Sequence, residues 1–271
     1  MTAVLPPALL EAARFPGFDV PLPPPDHPYK VRQLGGLQIG YLPEAAFAVV
    51  SVRRIPAAQV EERVATVRSL LADAGFGRAA WLVSEAAEPN GLAERLRELG
   101  LARWEQETEG FAPRFRNMVL AADPAAAPAG VSARQVETFA EFVAARNVAI
   151  DAFEVSEQDR ELTERTHLET WEWHERLPDF KTFAAFADGE IVGIANALFG
   201  ANAAFMVGGS VREDARGRGA YRALVRARWD AAVDRGTPAL TVTAGSMSGP
   251  ILDRLGFVTV CEGDGLEDRF S

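Results

Sequence analysis

Apolar residues at Val60, Val64, Val67 and Leu71 fall on one helical face, and the run closes at Gly75. A β-branched stretch at 46–54 predicts a strand before this helix. Ala79–Ser84 predicts a strand after it, followed by a short helix over Leu92–Leu99 and the triplet Leu99-Gly100-Leu101. The second half repeats the series. A strand at 203–213 leads to a helix with Ala220, Leu224, Ala227 and Ala231 on one face, closing at Gly236. A strand at Ala239–Ala244, a short helix from Pro250 and Leu255-Gly256-Phe257 complete it.

The two series are in register. Ser51-Val52-Arg53 and Ser210-Val211-Arg212 lie 159 positions apart, Gly75 and Gly236 lie 161 apart, and Gly100 and Gly256 lie 156 apart. Such agreement reads as an internal duplication of a β-α-β-α unit. Between the copies Ala121–Gly130, AADPAAAPAG, has two prolines and no apolar period, and reads as a linker. The expected organisation is residues 1–122, a linker at 123–130, and residues 131–271. The fold class is α/β: two mixed sheets flanked by helices. Ile191–Val211 carries no charge over 21 positions, yet its glycines and Phe199-Gly200-Ala201-Asn202 read as a buried hairpin and not a membrane span.

Composition changes this picture little. The 271 residues are 48% hydrophobic and 24% charged, which suits a globular core and excludes collagenous and disordered classes. The net charge of −10 argues against a general binder of nucleic acid or anionic membrane. The single cysteine, Cys261, asks for no oxidising compartment and reads as a small buried strand residue. The first residues lack a basic stretch before their apolar run and contain prolines, so a cytoplasmic location is expected.

The halves differ between the strand and its long helix. The first has Arg54-Ile55-Pro56-Ala57; the second has Arg216-Gly217-Arg218-Gly219. Glycines there let the backbone approach a ligand, and the free N–H groups of a helix start favour an anion. Residues 212–228 hold six arginines and two acids, a local +4. The loop lacks the Gly-Lys-Ser/Thr of a P-loop, and Arg222 stands where a dinucleotide motif wants its third glycine.

Val211 to Tyr221, VREDARGRGAY, followed by Pro250 to Phe257, PILDRLGF, resembles the GNAT superfamily of acyl-CoA-dependent N-acyltransferases. The resemblance covers about residues 131–271. It implies a first strand at 131–136, two helices and a hairpin turning at Asp188-Gly189. The first half resembles, more weakly, a GNAT-like domain without its cofactor loop. The resemblance implies acetyl-CoA as cofactor, held by Val211, Arg216, Gly217, Arg218, Gly219, Ala220 and Tyr221. Tyr221 departs from the Gly or Ala usual at the loop's last position.

It further implies a bulge at Gly208-Gly209 that splays two strands, with a backbone N–H near Gly209 facing the thioester carbonyl. Glycines in an apolar strand suit a bulge; relief of crowding beneath Phe205 is the other reading. The family's usual tyrosine acid is replaced by Leu252. Either the thiolate leaves unaided, or water, Ser248 or Tyr221 supplies the proton, or no turnover occurs. His167, Trp171 and His174 share one helical face, and three readings stay open for them: a metal site, a substrate-facing wall with His174 as base, or packing. No third ligand at a diagnostic spacing favours metal. As a wall, this face would suit a cationic or aromatic amine.

Two functions follow from the resemblance. One is an acetyl-CoA-dependent N-acetyltransferase acting on a primary amine of a small molecule or peptide by direct attack on the thioester. The other is a non-catalytic acyl-CoA-binding or regulatory protein. A homodimer is compatible with either.

Overall fold

The computed structural model describes residues 5–42, 47–105, 112–152 and 157–270, apart from the side chains at 158, 159 and 162. The first half runs α1 (Pro7–Arg14), β1 (Lys30–Leu34), β2 (Leu37–Tyr41), β3 (Ala48–Arg54), α2 (Val60–Asp73), β4 (Arg78–Glu88), α3 (Leu92–Glu98), β5 (Ala102–Arg103) and β6 (Arg114–Leu120). The second runs β7 (Val131–Gln135), α4 (Phe139–Ala152), α5 (Glu157–Arg165), α6 (His167–Glu175), β8 (Phe180–Ala187), β9 (Glu190–Phe199), β10 (Ala204–Val211), α7 (Ala220–Asp234), β11 (Leu240–Ala244), α8 (Gly249–Arg254) and β12 (Val258–Arg269). The two series match element for element: β3-α2-β4-α3-β6 against β10-α7-β11-α8-β12. Both strand-helix-strand units are parallel.

The strands form one twelve-stranded sheet in the order β1-β2-β3-β4-β12-β6-β11-β10-β9-β8-β7, with β5 on β12. The order reveals an exchange. The last strand of the second half, β12, pairs with β4 from Gly263↔Ser84 to Arg269↔Arg78, and the last strand of the first half, β6, pairs with β11 from Leu240↔Leu120 to Ala244↔Arg116. Core packing follows the hydrogen bonds. Met118 and Leu120 of β6 pack with Leu224 and Leu240, whereas Leu266 of β12 packs with Val50, Trp81 and Leu96. The linker residues 121–130 carry no regular structure, but the sheet does not divide there.

The stripe of α2 is buried as its period predicts, at Val60, Val64, Val67 and Leu71. The stripe of α7 is not the predicted one: Ala220, Leu224, Val225, Arg228, Trp229 and Ala232 are buried, and Ala227 and Ala231 lie at its margin. The larger Val225 and Trp229 hide more apolar area than the alanines and turn the helix toward themselves. Helices cover both faces of the second half. Alternate residues of β8 separate them: Phe183 and Ala185 pack with Leu224 of α7, and Ala184 packs with Phe142 and Ala145 of α4. Residues 191–211 form the β9–β10 hairpin, and among the described residues no helix is long and apolar enough to cross a membrane.

A polar row crosses the seam between the halves. Ser84 Oγ lies 3.1 Å from Cys261 Sγ, Thr243 Oγ1 donates to Asn117 Oδ1 at 2.9 Å, and Asn117 Nδ2 donates to the Arg14 carbonyl at 2.8 Å. Cys261 is thus a half-buried member of a polar row and not an apolar filler. From this seam the chain after α1 crosses the second half. Gly17 meets the Phe205 ring, Asp19 accepts from the Asn202 N–H at 3.0 Å, and His27 stands edge-on to Trp173.

Asp268 on β12 is fully buried and holds Arg68 of α2 at 2.8 Å, with the guanidinium 31% exposed. Arg68→Ala would leave a buried carboxylate without its counter-charge, and about 3 kcal/mol of stability should be lost. Because the halves share their strands, urea unfolding should show one transition that shifts as a whole. A separate early transition of the first half, with the second unmoved, would contradict the exchange.

Candidate functional site

Strands β10 and β11 pair only at Ala204↔Leu240 and Phe205↔Thr241. Beyond them β10 bulges: Val207 faces Asn196 and Gly209 faces Ala195, leaving Gly208 unpaired at φ +59°. Glycine accepts that conformation without strain, and the bulge bends its strand. A Cβ on Gly17 would lie 3.2 Å from the Phe205 ring, whereas the aromatic beside the glycine pair is Tyr221, 3.3 Å from a Cβ built on Gly209. The equivalent strands of the first half rejoin after a register shift. β3 and β4 pair from Ala48↔Ala79 to Val52↔Val83, shift register, and meet again at Arg54↔Glu88, where the Ile55 N–H donates to the Glu88 carbonyl at 2.8 Å.

After β10, one 3-10 turn at Glu213–Ala215 leads to the glycine loop and α7. The Arg216 N–H donates to Glu213 O, and the Ala223 N–H donates to Gly219 O. Between them, the N–H groups of Gly217 to Arg222 have no backbone acceptor among the described residues. A run of free amides at the positive end of a helix suits a diphosphate. Gly217, at φ +76°, opens to empty space, but a Cβ on Gly219 would collide with Pro128. The linker therefore backs the loop.

The local +4 is largely spent within the fold. Arg212 pairs with Asp214 at 2.7 Å, Arg218 with Asp188 at 2.6 Å, and Arg226 with Asp123 and Asp230. Arg216 Nε donates to Val211 O at 3.3 Å. Arg228 is fully buried, with Nε on Leu224 O, Nη1 on Asn196 O and Nη2 without a hydrogen-bond partner among the described residues, and burial lowers its pKa. Of the six, Arg222 is exposed and has no ion pair among the described residues. Spacing along the chain could not show Asp123 or Asp188 as partners, because both come from distant parts of the chain.

Tyr221 turns inward. Its Cε2 would lie 3.3 Å from a Cβ at Gly209, and its ring packs against the core with Val211. Its bulk thus rests on the bulge while its backbone stays in the loop with Ala220. Leu252 is fully buried in the same core, so that position offers no proton donor. Ser248 precedes α8 beyond the end of β11, half-buried, with no capping hydrogen bond from its side chain.

On the opposite sheet face, the three residues of α6 part company. Trp171 packs on Phe142, ring centroids 5.3 Å apart, as a satellite of the α4 core. His174 lies against Phe142 and Phe180, with Nδ1 3.5 Å from Thr182 Oγ1, which donates to Asn196 Oδ1 at 2.9 Å. Asn196 Nδ2 in turn lies 3.7 Å from a Cβ built on Gly208. Burial, with Arg146 and His27 nearby, pushes His174 down to about 3. Such a ring is neutral and a weak proton acceptor. His167 is buried, and both its ring nitrogens lack partners among the described residues. Burial, reinforced by Arg146 and opposed by Glu164, lowers its pKa. Among the described residues no group of three His, Cys, Asp or Glu side chains is placed to hold a metal. Thr182 and Asn196 carried no sequence motif; only strand register brings them to the bulge.

Residues 142–249 match the profile of the Acetyltransferase (GNAT) family. Curated proteins give no match to the chain. Among solved structures, the chain is similar to a GCN5-related N-acetyltransferase from Kribbella flavida, at TM-score 0.61 and 20% identity over 89% of each chain. It is similar to a tandem GNAT protein from the clavulanic acid biosynthesis pathway, at TM-score 0.60 and 17% identity over 97% of this chain and 88% of that one. A functionally unknown conserved protein from Staphylococcus epidermidis aligns at TM-score 0.61 and 12% identity, over 91% and 95%.

The state of His174 can be measured. Its folded pKa lies below the unfolded value of 6.5, so the stability it contributes is complete above that pH and is lost on acidification toward 3. A proton NMR titration of the folded protein should show no His174 midpoint between pH 5 and 8. A midpoint near 6.5 would place the ring in water.

Proposed function

We propose that the protein is an acyl-CoA-dependent N-acyltransferase using acetyl-CoA, a reading supported by the match of residues 142–249 to the Acetyltransferase (GNAT) family and by a fold similar to that of a tandem GNAT protein. The observation that carries this reading is the asymmetry between the halves. β10 leaves β11 at a glycine bulge beside a run of free amides, whereas β3 and β4 rejoin after a register shift.

The cofactor's diphosphate would sit on the amides of Gly217 to Arg222, with its thioester entering between β10 and β11. The acceptor amine attacks the thioester carbonyl carbon as its neutral base. The C–S bond breaks, coenzyme A leaves as thiol or thiolate, and the nitrogen loses one proton to water. A backbone N–H at the Gly208-Gly209 bulge is suited to the developing oxyanion. Holding amine and thioester together supplies much of the acceleration, so a missing side-chain acid at Leu252 slows the step without blocking it. His174, neutral and tied to Thr182, is better suited to positioning the acceptor than to storing its proton. Ser248 and Tyr221 remain the hydroxyls nearest to consider for the thiolate. A small-molecule or peptide amine is the acceptor class; the first half contributes strands and not a second cofactor site.

The buried Leu252 favours one rival, an acyl-CoA-binding protein without turnover. Calorimetry with acetyl-CoA, followed by thiol release across a panel of primary amines, separates them: the transferase reading expects binding and release, and binding with no release from any amine would select the rival. Gly217→Glu places a carboxylate in the open loop and should weaken acetyl-CoA binding by at least about tenfold, the factor that 1.4 kcal/mol of lost binding gives. Undiminished affinity would remove the loop from the cofactor site. Gly219→Glu is a poorer test, because its side chain would displace Pro128.

A further inference from the structure

The helical face behind the bulge holds a cation without a counter-ion. Arg146 follows Phe142 by one turn of α4, its guanidinium carbon 5.6 Å from the ring centroid. Its Nη1 is sealed from solvent and has no partner among the described residues, and burial lowers its pKa. Among the described residues no carboxylate forms an ion pair with it. Glu164 acts on His167 and not on Arg146.

The surroundings are polar and equally unsatisfied. His167 and His174 both feel the Arg146 charge. Both His167 ring nitrogens and Ser210 Oγ lack partners among the described residues. Ser210 shares this sheet face, because its cross-strand partner Ile194 packs with Phe142 and Ala145. The relay from His174 through Thr182 to Asn196 ends at Gly208. An unpaired buried charge is costly, and a guanidinium fork matches a carboxylate with two parallel hydrogen bonds.

We propose that Arg146 is the anchor for an acceptor carrying a carboxylate as well as its amine, gripped beside His167 and Ser210 while the amine faces the bulge. This rests on the acyl-transfer reading and narrows its substrate class. One guanidinium between neutral imidazoles balances a monoanion; a phosphate monoester, near −2, would bring excess charge. A purely cationic amine, which the histidine–tryptophan face taken alone would suit, meets Arg146 as a like charge.

The test uses matched pairs: glycine, β-alanine, 4-aminobutyrate and leucine against their carboxamides. Binding to the full-length protein is followed by ligand-observed NMR, and thiol release with acetyl-CoA is measured separately. At least one carboxylate should bind about tenfold more tightly than its amide, as expected for hydrogen bonds to a charged group. Arg146→Gln should erase that difference, Arg146→Lys should keep part of it, and both variants should retain wild-type acetyl-CoA affinity. No carboxylate binding, amides that match their acids in every pair, or equal losses for both members in Arg146→Gln would overturn the anchor. A carboxylate preference without thiol release from any amine would instead overturn the transferase reading and uphold the anchor.

Discussion

The five residue pairs joining β11 to β6 carry the architecture of the second half. A strand released along one edge must be held along the other, or its backbone groups lose their partners. β11 parts from β10 after two pairs, and it can do so because β6 covers its far edge throughout. That covering strand belongs to the first half. In return, β12 covers β4 and brings Leu266 into the other core and Asp268 to Arg68. The open cleft and the exchanged strands are therefore one arrangement seen from two edges of β11.

The same series of elements gives two outcomes because of a few residues between strand and helix. In the first half the chain stays hydrogen-bonded to β4 through Ile55, and the cleft does not open. In the second, the bulge at Gly208 turns β10 away and a glycine loop delivers six amides to the opening. An anion bound at this loop would rest chiefly on these backbone dipoles. Most of the surrounding arginines are committed to ion pairs with acids from elsewhere or to burial, and exposed pairs of this kind add little of their own.

Much of this was legible along the chain. The α2 stripe, the Asp188-Gly189 turn, the duplicated order and the loop at Arg216–Gly219 all depend on neighbours in sequence, where period and turn chemistry speak directly. The strand exchange was not legible, since β6 and β12 carry the same pattern whichever sheet they join. Nor were Asp188 and Asp123 as partners of Arg218 and Arg226, or the inward turn of Tyr221, which looked like an intrusion into the loop and is instead a packing residue over Gly209. Arg146 looked like one arginine among many; its isolation from acids exists only in three dimensions.

The contact between Pro128 and Gly219 ties the glycine loop to the linker between the halves. A half without the glycine loop would be dispensable if each half closed its own sheet. Here its loss would strip the edge strand from β11 and take with it the linker that backs the glycine loop. The first half thus serves the second as scaffold, and the two cannot be parted without opening the sheet along β11.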